Sequence, residues 1–114
     1  VEPVGGASMK AALEAGGPVT LREVGSIADG LLPVRSGDQT FAHVTEFVDE
    51  VVLVEEDEIR EAAKFLFLHE RLVVEFSGAA TVAALRSGKV ESSARTVAAV
   101  VSGGNVDPGV IANL

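Results

Sequence analysis

Long apolar segments alternate with helical segments in the second half of this chain, and this alternation constrains the fold more than any other feature. In order, the segments are strand 48–54, helix 55–70, strand 71–75, helix 77–88 and strand 95–101. Strands that are apolar along most of their length are typical of a parallel sheet that is covered on both faces. The sequence therefore predicts an α/β fold with a mostly parallel sheet in three layers, as one domain over residues 1–114.

The first half of the chain contains shorter elements. Residues 7–15 are good helix formers and are followed by Gly16, Gly17 and Pro18, which end the predicted helix. Residues 19–21 are a short extended candidate, 25–38 a loop rich in Gly and Asp, and 39–47 a second helix. Within helix 77–88, Ser77 is the predicted N-cap and Gly88 the predicted C-terminal stop.

Composition and charge exclude several classes of protein. A formal net charge of −8 argues against binding the phosphate backbone of nucleic acids. The absence of cysteine excludes a disulfide framework and a thiolate metal site, and it favours a cytoplasmic setting. No apolar run is long enough to span a membrane, and the first residues lack the features of a signal peptide.

Two predicted strands end in serine and glycine, which is the strongest functional signal of the residues themselves. Ligands of open parallel sheets bind beyond the carboxyl ends of the strands. Ser77-Gly78 and Ser102-Gly103-Gly104 each follow an apolar run, where bare backbone can approach a ligand closely. A helix cap explains Ser77 equally simply, and a tight turn explains residues 102–104. Spacing alone therefore supports only an α/β domain with a candidate ligand site near Ser102.

Other polar residues give weaker signals. His43 and His69 lie on predicted helices without an evident metal-binding partner. Asp49 and Glu50 are adjacent on a predicted strand, so their side chains point to opposite faces and are poor candidates for acid–base catalysis.

Six sequence segments in order resemble the threonine dehydratase and serine racemase group of fold type II pyridoxal-phosphate enzymes. They are VEP (1–3), SIADGL (26–31), TF (40–41), VDEVVLVEEDEI (48–59), LVVEFSGAA (72–80) and SGGNVD (102–107). The resemblance extends over nearly the whole chain with its spacing intact.

The resemblance implies a set of cofactor-binding residues. Ser102 matches the serine whose hydroxyl meets the pyridine nitrogen of pyridoxal phosphate, and Gly103 and Gly104 allow the backbone to lie close to the ring. Glu75 matches a glutamate near the cofactor, and Gly30 matches a loop residue whose backbone lines the active site. Where the family usually has proline after this glutamate, the chain has Phe76, which predicts a different pocket wall.

The resemblance also implies a divalent-cation site. Glu2, the backbone carbonyl of Gly6 and Ser8 align with its ligands, and oxygen ligands suit magnesium or calcium. The position of Ser8 is usually acidic in the family, so the missing charge predicts weak or absent metal binding.

The family binds its cofactor through a lysine in a Ser-Phe-Lys-x-Arg-Gly-like segment, and no such segment is present in the chain. The three lysines, Lys10, Lys64 and Lys89, lie in unlike contexts. The glycine-rich phosphate loop and the small domain that holds the substrate carboxylate lack counterparts as well. The resemblance therefore implies the C-terminal half of such an enzyme's large domain, with no catalytic residue of its own and no activity alone.

Two functions remain open from the sequence. The first is part of a threonine or serine dehydratase, or of a related racemase, which would convert a small amino acid with a complementary N-terminal half. The second is a non-catalytic α/β module that self-associates or pairs with a complementary chain. A regulatory amino-acid-binding domain is disfavoured, because such domains have alternating, half-exposed strands.

Overall fold

A parallel pair of short strands joins the start of the chain to its middle. In the computed structural model, which describes residues 1–91, 93 and 96–114, β1 (Glu2–Pro3) pairs with β2 (Leu53–Val54). Glu2 lies opposite Leu53 and Pro3 opposite Val54, and the Glu2 N–H donates to the carbonyl of Val52 at 2.9 Å. Pro3 and Val54 are fully buried, so this pair lies at the centre of the fold.

Helices make up most of the remaining regular structure. Within the described ranges, the α-helices are α1 (Ser8–Ala15), α2 (Asp38–Phe47), α3 (Glu56–Phe65), α4 (Phe76–Arg86) and α5 (Pro108–Ile111). A π-helical segment, Leu66–Glu70, continues α3 and ends at Arg71, which has a left-handed backbone with φ of 60°. None of these helices is long and apolar enough to cross a membrane.

The predicted helix ends are confirmed at two glycines. Gly16 and Gly88 have φ values of 75° and 70°, a conformation that glycine adopts without steric cost. After α4, the Gly88 N–H donates to the Leu85 carbonyl and the Lys89 N–H to the Ala84 carbonyl. This pair of bonds satisfies carbonyls that the helix end would otherwise leave unpaired.

The core lies where α3 packs on α4, and small residues build it. The buried residues of this contact are Ile59, Ala62, Ala63, Leu66, Ala79, Ala80, Ala83 and Ala84, with Val54 and Ala28 beside them. Because the chain has five phenylalanines as its sole aromatic residues apart from histidine, alanine supplies much of this interface. The helix backbones therefore approach closely, and the packing depends on shape more than on large side chains.

The α/β class is confirmed, but the sheet is much smaller than predicted. Segment 48–54 pairs only at Leu53–Val54, and residues 71–75 and 96–101 form no strand. Arg95, where the last predicted strand begins, lies outside the described residues. A strand needs a hydrogen-bonded neighbour as well as an apolar composition, and these segments have no ladder partner in the described part of the chain. The predicted three-layer sheet is therefore present here only as its central parallel pair.

Several side chains that the predicted strands would have buried are instead exposed. The four large ones, each between 47% and 74% exposed, are Leu72, Val73, Val97 and Val100. Single bonds fix the two segments that carry them. The Thr81 hydroxyl donates to the Val100 carbonyl at 2.7 Å, and the Glu75 N–H donates to the Gly103 carbonyl at 3.1 Å.

An ion pair connects the start of α3 to the residue that follows α4. Lys89 Nζ lies 2.7 Å from Glu58 Oε2, and the Glu55 N–H donates to the same oxygen at 2.7 Å. Burial raises the pKa of the Glu58 carboxyl, but the hydrogen bonds from Lys89 and Glu55 and the charge of Lys89 outweigh it. The pKa is therefore lower than the ordinary value of 4.5.

We expect Ala84→Leu to destabilise the domain. Ala84 is fully buried, and three extra carbon atoms at this close helix contact cost about 1–3 kcal/mol in the free energy of unfolding. Chemical denaturation measures the difference. Ala42→Leu, on the exposed surface of α2, is the matched control and should change the free energy by less than about 0.5 kcal/mol. Equal effects of the two substitutions would contradict this packing.

We expect Glu58→Gln to flatten the pH dependence of stability. A carboxyl whose pKa is lowered by folding stabilises the protein above its unfolded pKa of about 4.3, and this stabilisation is lost as the pH falls through the folded pKa. Glutamine can still accept from the Glu55 N–H but removes the charge that Lys89 faces. Thermal unfolding from pH 7 to pH 3 should therefore show a variant that is less stable at pH 7 and equal to the wild type at pH 3. Glu46→Gln, exposed on α2, is the control.

Candidate functional site

Glu75 brings together the ends of the two segments that precede α4 and α5. It lies immediately before α4 with an extended backbone, and its N–H donates to the Gly103 carbonyl. Its side chain is half-buried and lies against the backbone of Gly103. The predicted site residues Glu75, Ser102 and Gly103 are thus adjacent in space although 27 residues separate Glu75 from Ser102 in the sequence.

Gly103 is required at this position for two reasons. Its φ of 78° is in the left-handed region, and an added Cβ atom would overlap the Glu75 carboxylate. Any other residue would strain the backbone and displace Glu75. Gly104 is less constrained, because a Cβ atom there would lie 3.5 Å from the Val73 carbonyl, which is ordinary contact.

The loop that carries Gly30 contacts the same region. The Gly30 N–H donates to the Ser77 hydroxyl at 2.9 Å, and a Cβ atom added to Gly30 would lie 3.7 Å from Glu75 Oε1. A second bond holds the loop to α3, since the Ile27 N–H donates to Glu56 Oε2 at 2.8 Å. Both helices of the core therefore position this loop beside Glu75.

The prediction that Ser77 caps α4 is wrong. The helix begins one residue earlier, at Phe76, and Glu75 occupies the N-cap position. The Ser77 hydroxyl instead accepts the Gly30 N–H, a partner 47 residues away in the sequence. A local cap signal and a long-range acceptor are indistinguishable in sequence, because both require only a hydroxyl in the first helical turn.

Ser102 approaches α4 through its backbone. Its carbonyl lies against Gly78, where an added Cβ atom would overlap it, while Ser102 itself is exposed. Gly78 therefore sets the distance between α4 and the turn at residues 102–104. The hydroxyl of Ser102 is accessible to a ligand from solvent.

A cavity of about 390 Å³ lies beside Glu75. It is lined by Ile27, Asp29, Glu75, Phe76, Asn105, Val106, Asp107 and Val110. Its volume is in the range of small-molecule sites, which begin at about 300 Å³. Phe76, the departure from the family pattern, forms part of the wall as expected. Sequence reasoning did not single out Asp29, Asn105 or Asp107, although all three belong to the segments SIADGL and SGGNVD.

The residues of the predicted cation site lie at the start of α1. Glu2 Oε1 accepts the Met9 N–H at 2.8 Å, and Glu2 Oε2 accepts the Lys10 N–H at 2.9 Å. Gly6 and Ser8 are buried between β1 and this helix start. In the part of the chain that the structure describes, no three His, Cys, Asp or Glu residues are grouped so that they could hold a metal ion.

Comparison with known proteins defines the class of this chain. The family described as "Pyridoxal-phosphate dependent enzyme" matches residues 1–103. The chain therefore belongs to this family, whose cofactor is pyridoxal phosphate.

Its relatives narrow the class to proteins named for threonine and serine chemistry. The catabolic L-threonine dehydratase of Escherichia coli K12 is 41% identical over 101 residues, covering 87% of this chain and 31% of that enzyme. Maize serine racemase has the same fold with a TM-score of 0.84 at 36% identity, over 98% of this chain and 36% of its own. A threonine deaminase of the organism abbreviated T.th. also superimposes with a TM-score of 0.84 at 36% identity, covering 93% and 39%. The chain thus spans about a third of the length of the curated relatives it matches.

We expect Gly78→Ala to displace the turn at Ser102. The new methyl group would overlap the Ser102 carbonyl, so overpacking should lower the free energy of unfolding by about 1–3 kcal/mol. Chemical denaturation measures this loss. Gly17→Ala is the matched control, because an added Cβ atom there meets nothing within 4 Å and its φ is not left-handed. A Gly78→Ala variant as stable as this control would disprove the close approach.

Proposed function

We propose that this chain forms one wall of the cofactor site of a pyridoxal-phosphate-dependent ammonia-lyase that acts on L-threonine or L-serine. The observation that carries the proposal is the contact of the Glu75 carboxylate with the left-handed backbone of Gly103, beside the exposed Ser102. The names of its relatives support the choice of a small hydroxy amino acid as substrate.

The residues at this site fit the cofactor. Gly103 and Gly104 leave backbone bare next to Ser102, so a flat ring can approach without meeting side chains. The neighbouring cavity adds the Asn105 amide and the Phe76 ring, which are suited to orienting and covering a heteroaromatic group. When bound, pyridoxal phosphate supplies an electron sink for the carbanion formed at the substrate's α-carbon.

Ser102 is proposed to hold the ring nitrogen through a neutral hydrogen bond. A hydroxyl can donate to an unprotonated nitrogen, whereas a carboxylate would accept from a protonated one. The Ser102 hydroxyl therefore orients the ring without maintaining a positive charge on its nitrogen. This restrained electron withdrawal favours elimination of the β-hydroxyl over reactions that need a longer-lived carbanion.

Glu75 and the Gly30 loop are proposed to position the ring rather than to react. The carboxylate is confined between the backbone of Gly103 and the loop that Ser77 and Glu56 hold. A side chain that is fixed on two sides keeps the pocket wall in place as a ligand binds. We assign no catalytic residue to residues 1–114.

The lysine that binds the cofactor covalently is proposed to lie outside residues 1–114. Lys89 is engaged with Glu58, and Lys10 and Lys64 lie on α1 and α3. A complementary segment that carries the lysine and the phosphate-binding loop would then complete the site. The exposed apolar side chains of Leu72, Val73, Val97 and Val100 are the surface that such a segment would cover.

A non-catalytic module is the second candidate, and the same exposed apolar surface favours it. If two copies of this chain cover that surface on each other, the result is a dimer that does not bind the cofactor. Native mass determination with and without pyridoxal phosphate distinguishes the two candidates. A stable dimer without cofactor binding would favour the module.

A chimeric enzyme tests the proposed activity. Residues 1–114 would replace the matching third of the Escherichia coli catabolic threonine dehydratase, and formation of the 2-oxo acid from L-threonine would be measured. We expect an active chimera, because 41% identity and a shared fold preserve the pocket wall. Residues 1–114 alone should form no 2-oxo acid. In the chimera, Ser102→Ala should lower the rate by a factor of about 10 or more, the effect of one hydrogen bond in a closed site.

Ser93→Ala is the matched control, since Ser93 is an exposed serine outside the cavity lining. Its activity and cofactor absorbance should equal those of the parent chimera. A folded chimera that binds the cofactor but only racemises serine would replace the lyase with a racemase. Activity of residues 1–114 alone would show that one of its own lysines binds the cofactor.

A further inference from the structure

The Glu2 carboxylate is fully engaged by the first turn of α1. Each of its oxygens accepts one backbone N–H, from Met9 at 2.8 Å and from Lys10 at 2.9 Å. The first N–H groups of a helix have no partner within the helix and carry its partial positive charge. A carboxylate placed across two of them is bound through charge-assisted hydrogen bonds.

Helix α1 has no comparable cap elsewhere in its own sequence. Ala7 occupies the N-cap position and provides no side-chain hydrogen bond, and the first turn contains no acidic residue. Glu2 reaches the helix from β1, six residues before the helix begins, because the turn at Val4–Gly6 directs the chain back toward the strand. The capping signal is therefore absent from the local sequence and is supplied by tertiary structure.

The same residues are a poor donor set for a divalent cation. Magnesium requires six oxygen ligands in near-octahedral geometry and calcium six to eight, and both usually retain water. Here Glu2 contributes the one formal charge, since Ser8 has a hydroxyl where the family pattern is acidic. Ser8 is 1% exposed, and a Cβ atom on Gly6 would lie within 3.3 Å of Leu32 and Pro3. This crowding leaves little space for bound water beside the Gly6 carbonyl.

We infer that Glu2 caps α1 in this chain and that the divalent-cation site implied by the family resemblance is not formed. The partial positive charge of the helix start takes the role that the cation would have as the partner of the carboxylate. The start of the chain is thereby joined to α1 without metal. Its stability is therefore independent of magnesium and calcium.

Calorimetric titration and thermal unfolding of the 114-residue chain test this inference. The chain is first treated with a chelator and then titrated with magnesium chloride or calcium chloride. We expect no saturable heat of binding at millimolar cation, and the same unfolding midpoint in chelator, magnesium and calcium. Both measurements use the unmodified chain, so they do not depend on the folding of a variant.

Glu2→Gln separates the capping role from a metal-binding role. Glutamine has one acceptor oxygen in place of two and no charge, so the midpoint should fall by roughly 4–8 °C, by the same amount with chelator as with either cation. Glu14→Gln, an exposed carboxylate near the other end of α1, is the matched control and should leave the midpoint unchanged. Saturable cation binding, or stabilisation by a cation, that Glu2→Gln abolishes and Glu14→Gln retains would overturn the inference. Binding that persists in Glu2→Gln would be at another place and would leave it standing.

Discussion

The close contact between α3 and α4 is the constraint on which the candidate site depends. Alanines at this interface let the two helices approach, and each helix then provides one side chain that holds the Gly30 loop. Glu56 on α3 accepts the Ile27 N–H, and Ser77 on α4 accepts the Gly30 N–H. A shift of either helix would move this loop relative to Glu75. Core packing and site geometry are therefore coupled through two hydrogen bonds.

Glycine has a second structural role at the other side of the site. Gly78 in α4 admits the Ser102 carbonyl, and Gly103 admits the Glu75 carboxylate. Both contacts require the absence of a side chain, so they place backbone where a ligand can meet it. The same economy of side chains explains why Ser102 stays exposed beside a half-buried carboxylate. In a family whose cofactor is a flat heteroaromatic ring, bare backbone of this kind is useful.

Acidic residues show how one residue type serves unrelated purposes in this chain. Glu2 satisfies the start of α1, Glu58 pairs with Lys89 across the core, and Glu75 lies in the site. From the sequence, Glu2 and Glu75 were both expected near a ligand, by resemblance. Glu2 instead has its two oxygens on backbone N–H groups. A motif match identifies the position of such a residue but does not identify its hydrogen-bond partners.

The sequence by itself determined the α/β class, the bounds of the helices to within one residue at α1 and α2, and the glycine stops at Gly16 and Gly88. These features follow from local periodicity and backbone preference, which neighbouring residues specify. Only tertiary structure decided that 71–75 and 96–101 are not strands, that α4 begins before Ser77, and that Asp29, Asn105 and Asp107 share a cavity. Strand pairing, long-range acceptors and cavities depend on which distant segments become neighbours, and the order of residues alone does not specify them.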